Sequence, residues 1–250
     1  LTRRFRRIFF LISAAALAVS FFLAYSQLEP SGRVHSEYGD MVNALTVPEL
    51  HITDAVSAVN FNVRGFDTLG EEFILFASVV GVLLLMRRQN DEPAGDHEDR
   101  IDGRIVPPVS DAVRVMAMLL VAPTFLFGIY IVTHGQVSPG GGFQGGVILA
   151  TALLLLYLCA EYNQFRRAVP QRLVEVGEAL GAAAYILIGA ACAGAGGLFL
   201  QNFLPLGKSG SITSGGIVAL IDLGVGLEVC GGLALALLAY LEELVEEKEQ

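Results

Sequence analysis

The sequence predicts an all-α, polytopic membrane protein of about six transmembrane helices, and three observations carry that expectation. Hydrophobic residues make up 54% of the 250 residues and charged residues 16%, against about 25% charge in soluble domains; mean hydropathy is +0.59. Apolar stretches able to cross about 30 Å of hydrocarbon at about 1.5 Å per residue recur six times. Period-2 alternation, the signature of a membrane barrel, is absent. Backbone groups in lipid must then be satisfied within helices.

The first expected span, residues 8–28, follows Arg3, Arg4, Arg6 and Arg7. A secretory signal cleaved near Ala24-Tyr25-Ser26 is the competing reading. The apolar core exceeds the roughly 7 to 15 residues of a signal core, which favours a retained anchor. Next, Ile52, Val56, Val59 and Val63 recur at helical spacing, so a short amphipathic segment should lie along the outer surface and end near Gly65. The second span covers residues 69–86. In front of it, Thr68 and Glu71 have capping-box spacing, and Asp67, Glu71 and Glu72 stand either as acids at a positive helix end or as an acidic mouth gathering cations.

Residues 89–108 are polar, charged and end in Pro107-Pro108, the composition of a linker. It divides a two-helix unit, residues 1–88, from a four-helix unit, residues 109–250. The third span, 115–132, contains Pro123, which should kink it. Between it and the fourth span, 143–160, runs His134-Gly135-Gln136-Val137-Ser138-Pro139-Gly140-Gly141-Gly142-Phe143-Gln144-Gly145-Gly146. This run predicts a tight turn. Pro139 suits the first turn of a helix, and the pairs Gly141/Gly145 and Gly142/Gly146 make small-residue ridges. Gly140, Gly142 and Gly145 also spell a dinucleotide fingerprint, but that motif needs a preceding strand, and here an apolar helix precedes it.

The fifth span is expected over residues 179–200, with Gly177, Gly181, Gly194, Gly196 and Gly197 giving it a small-residue surface, and the sixth over 215–240. Placing the amino terminus in the cytoplasm puts thirteen basic residues inside, namely Arg3, Arg4, Arg6, Arg7, Arg87, Arg88, Arg100, Arg104, Arg114, Arg166, Arg167, Arg172 and Lys248. Only Arg33, Arg64 and Lys208 fall outside. Both termini are therefore expected to be cytoplasmic.

Composition and motifs exclude several functions. The net charge of −9 comes from solvated acids before the third span and in the tail 242–249, so it points to no nucleic acid. Cys159, Cys192 and Cys230 are far apart in apolar runs, which argues against a metal or redox framework. No phosphate loop, zinc spacing or Ser-His-Asp set is evident, so no cofactor, metal or catalytic residue is expected. A Lys-Glu pair across broken helices, as in a pumping core, and an internal inverted repeat are also missing.

Ionisable residues at membrane depth are the remaining candidates, because a central carboxylate costs about 2.5 to 3.5 kcal/mol on insertion scales. Glu228 lies near the middle of the last span. Asp222 is about 9 Å nearer its outer end at about 1.5 Å per residue. Glu175 and the deeper Glu178 stand at the cytoplasmic start of the fifth span, where dipole complementarity also explains them. His134, at a helix end, is either an interfacial, turn-stabilising residue or a proton relay.

Residues 134–146, together with Asn202-Phe203-Leu204-Pro205 and Leu223-Gly224-Val225-Gly226-Leu227-Glu228-Val229, resemble the B subunit of Mrp (Mnh) multisubunit Na+/H+ antiporters over roughly residues 108–241. The upstream Val63-Arg64-Gly65-Phe66-Asp67-Thr68-Leu69-Gly70-Glu71 resembles the carboxy-terminal end of the large A subunit, which also occurs as a small separate subunit in membrane-bound hydrogenases. The resemblance implies a fusion of two neighbouring subunits. It further implies an accessory, non-enzymatic subunit in the cell membrane, partnered by other antiporter subunits and the bilayer, with Na+ and H+ as the transported ions. The equivalent membrane-arm subunit of a hydrogenase-like respiratory complex is the alternative.

Overall fold

The computed structural model describes residues 3–27, 36–86, 109–160, 165 and 167–249. The expected linker 89–108 and the basic residues Arg33, Arg87, Arg88, Arg100, Arg104 and Arg166 lie outside these residues. Among the described residues every regular element is helical. Six helices are long and apolar enough to cross a membrane, and the chain is a multi-pass membrane protein.

The chain divides into two compact units, residues 1–41 and 42–250. The first holds α1 (Arg3–Ser26) and the start of α2 (Glu37–Thr46). The described side chains of α1 are exposed, as expected of a helix that is apolar all round and whose solvent is lipid.

The second unit begins with Val42 and Thr46, the buried residues of α2. A short α3 (Ala55–Ala58) follows and runs into a π-helical turn, Val59–Val63. Asp54 caps α3, its carboxylate accepting the Val56 N–H at 3.3 Å. The expected stripe is only partly the buried one: Ile52 precedes the helix and is buried with Ala58 and Phe61, whereas Val56 is exposed. Ile52 lies outside the helix and the π turn changes the repeat from Val59 onward, so the four residues do not share one face of 3.6 periodicity.

Four spans, α4 (Gly65–Leu85), α5 (Asp111–Thr133), α6 (Gly142–Cys159) and α7 (Gln171–Gly194), pack around α8 (Ile217–Glu249). Within its membrane segment α8 is 67% buried, against 17 to 28% for the other four. Its apolar side chains pack in two clusters. Ile217, Val218, Ile221, Val225 and Val229 meet Phe61, Tyr185 and Leu200 at one end, and Leu235 and Leu238 meet Val79, Phe165 and Val169 at the other.

Three local expectations are corrected. Thr68 does not cap α4, which already begins at Gly65; its hydroxyl instead donates to the Asn60 carbonyl at 2.7 Å and ties α4 to the π turn. Pro139 lies in the loop before α6 rather than in its first turn, and the chain reaches Gly142 through Gly140 and Gly141 at φ +155° and +128°, conformations open to glycine. The fifth span runs Gln171–Gly194, about two turns earlier than expected over 179–200. Pro170 sits at its N-cap position, and Gly196, at φ +89°, follows its end. Gly194, Gly196 and Gly197 thus stop the helix instead of surfacing it.

Candidate functional site

Two glycines of the third-to-fourth span connection, Gly135 and Gly141, lie against one carboxylate. Asp222, fully buried on α8, accepts the Gly142 N–H on Oδ1 at 2.7 Å, at the amino end of α6. A Cβ on Gly135 would stand 2.5 Å from Asp222 Oδ2, and one on Gly141 3.0 Å from Oδ1. A negative charge at a helix amino terminus satisfies an orphan N–H and the helix dipole together. Asp222 is thereby the cap of a helix to which it does not belong. Its Oδ2 has no hydrogen-bond partner among the described residues, and Asp54 is the acid facing it.

Six residues further along α8, Glu228 is 1% exposed, and the Glu72 carboxyl comes within hydrogen-bonding reach of it, a bond that forms when one of the two is protonated. Glu72 of α4, 3% exposed, and Glu178 of α7, 6% exposed, are its charged neighbours. Small residues make the approach possible. A Cβ on Gly181 would run into the Glu228 backbone and stand 2.6 Å from the Gly224 carbonyl, and one on Gly231 would stand 2.8 Å from the Glu178 nitrogen. Opposite Gly232, Glu178 Oε1 and Val79 line the gap.

The pattern that builds the cluster is helical on every member. Glu178, Gly181, Tyr185, Gly189 and Cys192 form the buried stripe of α7, and Gly65, Thr68, Glu72 and Val79 that of α4. Glu72 and Glu228 thus lie side by side between two helices, Glu178 on a third is close enough to act on Glu228, and no basic side chain acts on any of them among the described residues. Buried charge without a counter-ion is balanced only by protons or by a bound cation. Glu72 and Glu228, within hydrogen-bonding reach of each other, can share a proton.

The remaining sequence-expected residues go elsewhere. Asp67, Glu71 and Glu72 do not form one mouth: Asp67 is exposed and paired with Arg64 at 2.5 Å, Glu71 is exposed, and Glu72 points inward to Glu228. His134 caps nothing deep. Its ring stacks on Tyr130 with centroids 4.0 Å apart, and Nδ1 lies 2.9 Å from the Tyr130 carbonyl oxygen. Gly145 meets α5, where a Cβ would stand 2.7 Å from the Val132 nitrogen, and Gly142 and Gly146 meet α8 at Val225 and Val229. These small faces are filled by the chain's own helices. Gly177 is looser, its nearest neighbour being the Leu227 side chain at 3.4 Å. Pro139 is exposed. Tyr185, 1% exposed, escaped the sequence reading; its hydroxyl donates to the Gly65 carbonyl at 2.7 Å, and Glu72 is its foremost charged neighbour. Its place on the Glu178–Gly181 stripe was the signal that could have found it.

A bundle of apolar helices around a central helix that carries buried acids defines a polytopic membrane protein with ionisable groups in its interior. Residues 112–235 match a family described as a domain related to the MnhB subunit of Na+/H+ antiporters, and the chain belongs to that MnhB-related family. It is 31% identical over 252 residues to the uncharacterized protein MJ1307 of Methanocaldococcus jannaschii, covering 93% of this chain and 94% of that one. Among solved structures it is similar to a chain of the membrane-bound sulfane sulfur reductase, an archaeal respiratory membrane complex, at TM-score 0.71 and 30% identity over 95% of this chain and 98% of that one. A chain of the Mrp complex from Dietzia sp. DQ12-45-1b matches at TM-score 0.68 and 26% identity over 95% of this chain, which spans 26% of that longer one.

Proposed function

We propose that the protein is an accessory subunit of a multisubunit cation/proton antiporter module in the cell membrane, and that Glu72, Glu228 and Glu178 are stepping sites for protons or Na+ within it. The observation that carries this reading is the buried Glu72–Glu228 pair between α4 and α8, with the buried Glu178 of α7 acting on Glu228 and no basic partner among the described residues. An acid at membrane depth is retained at a cost of a few kcal/mol, and structural packing alone has no need of three together. The family match to an antiporter B subunit supports the transport setting.

Partner subunits supply the pumping core, since the sequence holds none of its marks. The leading unit, resembling the end of an antiporter A subunit, then contributes Glu72, so that the ion route is assembled from both sides of the 89–108 linker. Both termini face the cytoplasm. The chain acts in transport rather than as an enzyme of its own.

The decisive experiment is Glu228→Gln in the complete complex, reconstituted in vesicles and followed with a pH dye after a Na+ jump. The substitution keeps shape and removes charge, so the expected result is loss of exchange with normal assembly. Full exchange by the assembled variant returns Glu228 to a packing role. A second setting, a respiratory membrane complex, is favoured by the near end-to-end match to the sulfane sulfur reductase chain, as against a quarter of the Mrp chain. Co-purification of iron-sulfur subunits with the tagged chain selects that setting, and their absence selects a stand-alone antiporter.

A further inference from the structure

An open pocket of about 980 Å³ lies between the start of α4 and the segment that follows α7, and Arg64, Gly65, Asp67, Leu200 and Asn202 are among its walls. Two of these residues separate it from the interior. Leu200 is buried, 7% exposed, and its Cδ1 lies 3.1 Å from where a Cβ on Gly65 would stand. The Tyr185 hydroxyl lies 3.6 Å from the same point and donates to the Gly65 carbonyl. Tyr185 is therefore directly beneath the pocket floor, and its ring rests against Phe61 with centroids 6.5 Å apart.

No basic side chain acts on Tyr185 among the described residues. Glu72, Asp222 and Glu71 are the charged groups acting on it, drawn from α4 and α8. Glu72 in turn faces Glu228. Gly65 and Glu72 share the buried face of α4 about two turns apart, so the Tyr185 hydroxyl bonded to Gly65 stands on the pocket side of the cluster, with Leu200 beside it in the pocket wall. Leu200 is also in a left-handed backbone conformation, φ +65°, that a leucine seldom adopts. Such conformations persist only where the surroundings enforce them, and they gather at gates and switches.

We infer that this pocket is the outer vestibule of the carboxylate cluster, with Leu200 as its apolar closure and the Tyr185 hydroxyl as the relay through which protons pass between the vestibule and Glu72. The inference rests on the reading of the cluster as an ion or proton route. A phenol has one donor and two acceptor positions. With Leu200 displaced and the hydroxyl turned from the Gly65 carbonyl toward Glu72, a hydronium in the vestibule gives a proton to the phenol oxygen as the phenolic proton leaves, through an intervening water, for the Glu72 carboxylate. One O–H bond forms as another breaks, and rotation of the hydroxyl back to the Gly65 carbonyl resets the relay. Tyr185 acts here as a relay for protons alone, so Na+ recognition should not depend on it.

Two arms test the inference in the complete complex in membranes. In the first, the native Cys192 is the reporter: it is fully buried, and its sulfur lies against the Leu200 backbone N–H. A small cationic methanethiosulfonate reagent should leave Cys192 unlabelled in the parent protein and label it in Leu200→Ala, with the site read by peptide mass. Equal protection of Cys192 in both removes Leu200 as the closure and overturns the inference. In the second arm, Tyr185→Phe keeps the ring and deletes the relay. Proton flux per assembled complex should fall by about tenfold or more, and its pH profile should flatten, while the Na+ concentration for half-maximal exchange stays unchanged. A structural role alone would lower complex abundance and both ion dependences together. Full flux in Tyr185→Phe beside a dead Glu228→Gln overturns the relay and leaves the proposed function standing, whereas full flux in both variants overturns the proposed function itself. Should Tyr185→Phe fail to assemble, the labelling of Cys192 decides.

Discussion

Asp222 Oδ1 and the Gly142 nitrogen are 2.7 Å apart, joining the second turn of the buried helix α8 to the first residue of α6. The carboxylate that makes this bond is the reason the loop between α5 and α6 has glycine at 135 and 141. Any side chain on Gly135 or Gly141 would meet the carboxylate, and φ at Gly141 is +128°. Sequence, loop geometry and helix capping are here one structural fact.

The first prediction follows from that bond. Asp222→Ala leaves the Gly142 N–H unsatisfied in the interior and should destabilise the chain by about 1.5 to 3 kcal/mol, the range for hydrogen bonds to charged groups. Asp222→Asn keeps an acceptor without the charge and should lose less. Thermal unfolding of the purified complex in detergent reads the order. An unchanged midpoint for Asp222→Ala would show that the clamp carries no stability.

The second contrasts two glycines one turn apart on α7. A Cβ at Gly181 would strike the backbone of Gly224 and Glu228, which cannot step aside, whereas one at Gly177 meets only the flexible Leu227 side chain at 3.4 Å. Gly181→Ala should therefore cost about 1 to 3 kcal/mol through overpacking. Gly177→Ala should be neutral or stabilising by up to about 1 kcal/mol, since alanine is the better helix former. Equal melting points for the two variants would contradict the packing described.

Much of this fold was legible in the sequence because lipid imposes a simple rule: long apolar runs become helices. Five of six spans fall within a few residues of expectation. The fifth shifted because Glu175 and Glu178 made its start look polar, although Glu178 is turned inward onto α8 and the helix begins just after Pro170. Glu228 stood out as a lone acid deep in an apolar run. Glu72 did not, because Asp67 and Glu71 beside it have the same chemistry, and only the stripe Gly65, Thr68, Glu72, Val79 distinguishes the inward face. The destination of the small-residue ridges was hidden as well. Sequence shows that Gly142, Gly145 and Gly146 admit a close neighbour, but not that the neighbours are α5 and α8 of the same chain.

The third prediction concerns orientation. Lys208 lies in the exposed connection between α7 and α8, and Arg172 is exposed at the opposite end of α7. With the basic residues held inside, a cysteine at Lys208 should react with an impermeant reagent applied to whole cells, and one at Arg172 only after the membrane is opened. The reverse pattern would invert the topology.

The last prediction tests whether Glu72 and Glu228 work as a unit. The two carboxylates face each other between α4 and α8, and neither has another charged partner of opposite sign among the described residues. Groups acting in series on one route show strongly non-additive loss, because the second substitution removes nothing that the first has left. Glu72→Gln and Glu228→Gln should each depress Na+-driven proton exchange in the assembled complex, and the double variant should be no worse than the more severe single one. Independent contributions would instead multiply. A double variant whose residual exchange equals the product of the two single losses would separate the two residues, and would place Glu72 outside the route that Glu228 serves.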